Sequence, residues 1–208
     1  MPSFDHEDDL VTRGFAKVAG VDEAGRGPLA GPVAAAAVIL PRTVVFQGLE
    51  DSKKLSKNHR ESLYARISSH AEVVWAVALV EPARIDAINI LQATHLAMRL
   101  ALESLSELPD IALVDGLPVK GLAIHHQSLV KGDRLSFSIS AASVIAKVTR
   151  DRFMARLHEE FPVYGFATNQ GYGTREHLNA LQKHGPCCHH RRSFQPVSQL
   201  SLPFADRL

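Results

Sequence analysis

The chain has 208 residues, 46% hydrophobic and 22% charged, which is enough to bury a core within one globular domain and excludes a disordered polymer. Its 23 basic and 22 acidic residues give a formal charge of +1, so a polyanionic partner has to be met by local clusters rather than by a basic domain. The acidic start (Asp5, Glu7, Asp8, Asp9) lacks the features of a secretory leader, the apolar run Val33 to Leu40 is too short to span a bilayer, and two adjacent cysteines, Cys187 and Cys188, cannot build a disulfide framework. A soluble, cytoplasmic protein in a reducing compartment is expected.

Lys17 to Asp22 and Val33 to Leu40 are apolar and partly β-branched, separated by the Gly- and Pro-rich stretch from Gly25 to Pro32, and read as strand, tight connection, strand. Ser56 is placed to cap a helix running to about Ser69, with Leu63 and Ile67 one turn apart on its buried face, and a third strand, Glu72 to Val80, follows. Pro82 suits the first turn of a short helix, and Leu91 to Leu108 makes a longer one stopped by Pro109. Ile111 to Val114 is a short apolar run ending in Asp115-Gly116, the pattern of a buried central strand, and Leu122 to His126 is a candidate fifth strand. Ser140 to Glu160 has the length and pattern of a helix, and Thr174 caps another that ends at Gly185. Early strands followed by alternating helix and strand predict an α/β fold, a mixed sheet with helices packed on its faces.

Asp22 and Glu23 stand side by side at the end of a buried strand, just before glycines that leave the backbone open to a ligand. In a regular strand neighbours face opposite ways, so an alternative has Glu23 in solvent and Asp22 capping the turn. Asp115 also ends an apolar run, and Asp133 in Lys131-Gly132-Asp133 stands just ahead of the long helix. Four carboxylates converging on one sheet edge repel unless divalent cations neutralise them, and hard oxygen donors suit Mg²⁺ or Mn²⁺, whose natural chemistry there is phosphodiester hydrolysis by two metal ions.

On the long helix Ser143, Lys147 and Arg150 fall at i, i+4 and i+7, opposite Ala141, Val144, Ile145 and Val148, so one face packs and the other offers a phosphate track. The plainer alternative pairs Lys147 with Asp151 on a solvated surface. Basic pairs at Lys53-Lys54 and Arg191-Arg192 add to the case for a backbone-binding surface. A magnesium-dependent phosphatase would account for the acids but not for the basic helix face, and a binding-only module would not need the acids.

Together these segments resemble bacterial ribonuclease HII, the type 2 ribonuclease H, over nearly the whole chain. The resemblance is carried by Ala19 to Pro28 (AGVDEAGRGP), Asp51 to Leu55 (DSKKL), Val114-Asp115-Gly116, Lys131-Gly132-Asp133, Ile139 to Ser143, Ala146 to Asp151, Gly171-Tyr172, Thr174, His177 and His189 to Phe194. It implies a ribonuclease H-like fold with a helical C-terminal extension, metal ligation by Asp22, Glu23, Asp115 and Asp133, and cleavage leaving a 3′-hydroxyl and a 5′-phosphate. It further implies that Gly25-Arg26-Gly27 reads the ribose 2′-hydroxyl, that Tyr172 packs on the sugar at an RNA–DNA junction, and that Lys53, Lys54, Ser143, Lys147 and Arg150 hold phosphates. A partly buried core tyrosine is the alternative for Tyr172.

The expected organisation is an N-terminal extension (1–17), a catalytic domain (18–197) and a tail (198–208), acting as a monomer on RNA–DNA hybrids and on duplex DNA containing ribonucleotides. In the tail, Gln199, Leu200, Leu202 and Phe204 resemble the short peptide by which bacterial repair proteins bind the sliding clamp, the alternative being that the tail packs on its own domain. Cys187-Cys188-His189-His190 lacks the spacing of a zinc site.

Overall fold

The computed structural model describes residues 2–49 and 55–200. Five strands, β1 (Val18–Ala24), β2 (Val33–Ile39), β3 (Val74–Val80), β4 (Ile111–Asp115) and β5 (His126–Leu129), form one sheet in the order β3-β2-β1-β4-β5. The first three are antiparallel neighbours, whereas β4 and β5 run parallel to β1. Helices α1 (Asp5–Thr12), α2 (Lys57–Ser68), α3 (Pro82–Glu103), α4 (Phe137–Glu160), α5 (Phe166–Asn169), α6 (Arg175–His184) and α7 (Val197–Leu200) complete the order. Among the described residues no helix is long and apolar enough to cross a membrane.

The period-2 alternation of strand side chains sorts the core into two layers. Ala19, Val21, Ala35, Ala37, Ala112 and Val114 pack with Ala93, Ala97, Ala101 and Leu102 of α3 on one face. On the other face Ala36 and Val38 meet Leu63 and Ile67 of α2 and Val144, Ile145 and Val148 of α4. A third cluster of Met154, Leu157, Tyr164, Phe166, Leu181 and Val197 anchors the C-terminal helices to the far end of α4.

Several boundaries differ from the sequence expectation, each for a local reason. Helix α4 begins three residues early, at Phe137, because Ser136 caps it by accepting from the Ile139 amide at 3.2 Å. The same serine hydroxyl donates to Glu7 Oε1 at 2.6 Å, and the Ser138 amide reaches that oxygen at 3.0 Å, so a buried carboxylate on α1 sits at the positive end of α4. Helix α3 contains the expected break, at Asn89 (φ 65°), whose Oδ1 accepts from the Gln92 amide at 3.1 Å and so caps the second segment. That segment stops at Glu103 rather than Leu108, capped by Ser104. The fifth strand is His126–Leu129, not Leu122 to His126: parallel pairing with β4 starts at Ala112↔His126, and Leu122 and Ile124 pack against the α3-side core from the connection.

Candidate active site

The topology brings Asp22 and Asp115 together. Strands β1 and β4 are parallel neighbours with Val21 opposite Val114, so the next residues, Asp22 and Asp115, leave the sheet side by side on the face covered by α4. Two positions earlier on that face stands Gly20, where a Cβ would lie 2.0 Å from the Ser138 carbonyl carbon. The missing side chain lets the first turn of α4 rest on the strand backbone, and just over a turn further along Ser143 hydrogen-bonds the Asp22 carboxylate.

Asp22 is 6% exposed, and its carboxyl is held well above the usual carboxylate range, chiefly by burial and then by the charges of Glu23 and Asp115. The Ser143 hydroxyl and the Glu23 amide, which donates to Asp22 Oδ1 at 2.7 Å, oppose that shift. Glu23 lines the same cleft and pairs with Arg26 Nη1 at 3.3 Å. Asp115 Oδ1 accepts from the Gly132 amide at 2.6 Å, which fastens the turn Gly132–Arg134 to the end of β4 and buries Asp133 one residue beyond.

The cleft holds about 280 Å³ and is walled by Asp22, Glu23, Gly25, Arg26, Gly27, Ser143, Lys147, Arg150 and Tyr172. Gly25 (φ 93°) needs to be glycine twice over, since a Cβ there would also sit 2.0 Å from Arg150 Nε. That contact identifies what supports the loop. Arg150 donates to the carbonyls of Pro32 (2.9 Å), Ala30 (3.1 Å) and Gln170 (3.1 Å), and Arg191 to those of Gly31 (3.0 Å), Arg26 (2.8 Å) and Gly25 (2.5 Å). Burial, reinforced for Arg191 by the neighbouring Arg150, pushes the two guanidinium groups down to about 10 and about 9, still charged at neutral pH.

Two sequence expectations change accordingly. Arg150 is 1% exposed and braces the loop from beneath instead of presenting a surface cation to phosphate, and Arg191, at 0%, does the same. Lys147 remains at the cleft, with Nζ 2.6 Å from Asp151 Oδ1, in a pair that is a quarter exposed or less on each side. Lys53, Lys54, Leu202 and Phe204 lie outside the described residues, whereas Gln199 and Leu200 are exposed at the end of α7.

Tyr172 is 49% exposed and its ring faces Gly27 across the cleft, where a Cβ on the glycine would stand 3.6 Å from it. Its carbonyl accepts from His177 Nδ1 at 2.8 Å. A carbonyl can only accept, so the neutral His177 ring carries its proton on Nδ1 and its Nε2 accepts a hydrogen bond from His190 Nε2, 3.0 Å away, while His190 Nδ1 accepts from the Cys187 amide at 3.0 Å. This chain of two buried imidazoles supports the tyrosine. Sequence reasoning matched both histidines to a motif without seeing the chain, because the partners are 13 residues apart.

A mixed sheet whose parallel central strands bring carboxylates together on one face, beneath a helix that hydrogen-bonds one of them, places the molecule in the ribonuclease H-like class of nucleases. The ribonuclease H2 of Pyrococcus horikoshii shares this fold with a TM-score of 0.75 and 28% identity, covering 88% of this chain and 96% of that one. The ribonuclease HII of Archaeoglobus fulgidus, solved as a complex with PCNA, matches at a TM-score of 0.70 and 28% identity, covering 86% and 95%. A family model for ribonuclease HII matches residues 19–197, and the ribonuclease HII of Burkholderia pseudomallei is 56% identical over 182 residues, 88% of this chain and 85% of that protein. The chain belongs to the ribonuclease HII family, the divalent-metal-dependent type 2 ribonucleases H, endonucleases acting on RNA–DNA hybrids.

Proposed function

We propose that this chain cuts on the 5′ side of ribonucleotides embedded in duplex DNA, as well as within longer RNA–DNA hybrids, with Mg²⁺ or Mn²⁺ held by Asp22, Glu23, Asp115 and Asp133. The observation that carries the reading is the placement of Asp22 and Asp115 at adjoining strand ends, with Asp22 buried among like charges. The donor set fits such cations. It is all hard oxygen, and although no trio of His, Cys, Asp or Glu among the described residues forms a ready-made cage, Mg²⁺-type ions complete their shells with water and substrate phosphate. When bound, the ions neutralise the acids, activate the attacking water and stabilise the leaving 3′-oxygen.

The chain's own groups do the rest. Ser143 and the Glu23 amide orient the Asp22 carboxylate, and the Gly132 amide orients Asp115. With the carbonyls of Gly25 and Arg26 turned inward to Arg191, the loop is held rigidly where its backbone can approach the ribose 2′-hydroxyl, the group that separates RNA from DNA. Tyr172, opposite Gly27, supplies a flat face for the neighbouring sugar, and Lys147 meets a phosphate at the cleft; the family resemblance gives Lys53 and Lys54 the same task.

The test is a duplex carrying one ribonucleotide, incubated with each metal. The wild-type chain yields a 5′-side cut with a 3′-hydroxyl, and Asp22→Asn and Asp115→Asn proteins lose roughly 10³-fold or more in rate while remaining folded. Wild-type cleavage by either folded variant sinks the assignment.

The tail extends the proposal to a partner. Gln199 and Leu200 lie exposed where the clamp-like peptide begins, and the Archaeoglobus relative was solved with PCNA. Removing residues 199–204 abolishes retention on an immobilised bacterial sliding clamp and leaves cleavage of free duplex unchanged; unaltered retention refutes the partner.

A further inference from the structure

On the flank of the cleft away from α4, α3 carries an exposed stripe of its own. Arg84 before the Asn89 break and Gln92, His95 and Arg99 at helical spacing after it, with Lys120 from the β4–β5 connection, line an open groove of about 480 Å³. None of the residues lining it is acidic, in a chain whose formal charge is only +1. Arg99 pairs loosely with Glu103 at 3.7 Å, both side chains nearly half exposed, a screened contact that yields readily to phosphate.

One short segment ties the wall of the groove to the wall of the cleft. Asp86, on the first half of α3, accepts from the Arg192 amide (2.8 Å), the Ser193 amide (2.9 Å) and the Ser193 hydroxyl (2.5 Å). The residue before them, Arg191, holds the Gly25 and Arg26 carbonyls, so one short segment joins α3 to the Gly25–Gly27 loop and leaves the Arg192 side chain exposed between them. Consistent with this closeness, the charges of Arg26 and Lys120 both add to the burial that lowers the His95 imidazole.

We propose that this groove is a second track for the phosphate backbone of the duplex flanking the cut, with Arg84, Arg99 and Lys120 as its contacts. It rests on the proposed seating of the scissile strand against Asp22 and the Gly25–Gly27 loop. Arg84 lies on the first segment of α3 and Arg99 on the second, on either side of the Asn89 break, so the track runs past a single helical segment and engages only duplexes that extend beyond the ribonucleotide.

The experiment compares the wild type with an Arg84→Gln, Arg99→Gln, Lys120→Gln protein on single-ribonucleotide duplexes of about 12 and about 30 base pairs, between about 50 and 200 mM salt. On the long duplex the variant shows a KM raised about tenfold at the higher salt with kcat unchanged, and a slope of log(kcat/KM) against log salt shallower by about 2 to 3. On the short duplex it matches the wild type. An Arg84→Lys, Arg99→Lys, Lys120→Arg protein keeps the wild-type slope. An unchanged KM and slope on the long duplex, or an equal loss on both lengths, overturns the track alone. A wild type that cuts neither duplex overturns the catalytic reading and the track with it.

Discussion

Two groups of like charges border the Gly25–Gly27 loop, and they are neutralised in different ways. Arg150 and Arg191 are buried together, yet their charge is spread over six backbone carbonyls, in a geometry that the fork of a guanidinium matches. Asp22 is nearly as buried, but the charges that bear on it most, Glu23 and Asp115, share its sign. The protein completes the cationic group internally and so gains a rigid loop. It leaves the anionic group strained, and in the proposed reading a cation from solution completes it there. Stability has been put into the support and taken out of the proposed reacting centre.

The contrast breaks first under substitution. Arg150→Met or Arg191→Met strands three carbonyls each, buried or part-buried, and a loss on the order of 3–5 kcal/mol is expected, read as a lower denaturant midpoint at unchanged m-value. Lysine does not restore it, since one ammonium on a flexible stem cannot span three carbonyls. Asp22→Asn, by removing a like charge, leaves the metal-free protein as stable or more stable by about 1 kcal/mol, while abolishing the stabilisation the wild type gains from added Mn²⁺ or Mg²⁺. Comparable losses in the arginine and aspartate variants would erase the distinction.

A smaller effect separates the two groups by pH. Burial, then the neighbouring His177, pushes His190 down to about 4, and burial also lowers His177. In the unfolded chain both titrate near 6.5, so the unfolded state binds more protons between those values. Stability contributed by the neutral imidazole chain is therefore complete above about pH 6.5 and is lost as pH falls through about 4, by on the order of 3 kcal/mol. Asp22 acts with the opposite sign, because its raised carboxyl favours the folded state on acidification. A His190→Asn protein is less stable at neutral pH and shows a flatter stability profile between pH 6.5 and 4; an unchanged slope there would remove the imidazole chain from the account.

Asp22 and Asp115 were legible in the sequence because a carboxylate that ends an apolar run and precedes glycine has few structural uses. The role of Arg150 was not. Helical periodicity correctly put it on the face of Ser143 and Lys147, but periodicity names a face without saying what is laid over it. What covers that face is the backbone of residues 30–32, 118 to 120 positions away in the chain, and the Gln170 carbonyl, 20 positions away. The Ser136 cap and the shift of β5 were missed for a related reason. Apolar content marked Ile124 and Leu122 as strand, whereas parallel hydrogen bonding to β4 selected His126–Leu129, and the two apolar residues found burial from a loop.

The sequence by itself determined the fold class, the family and the strand-end acids, since each rests on local pattern: apolar runs, turn glycines and motif order. Only the tertiary structure decided which charges face the cleft and which are spent beneath it. Arg150, Arg191, His177 and His190 all carry side chains suited to a site, and their work is settled by hydrogen bonds the sequence does not display, those of the two arginines to backbone carbonyls and those of the histidines to each other and to nearby backbone. Those bonds form because a buried carbonyl without a donor costs more than the ordering of one long side chain.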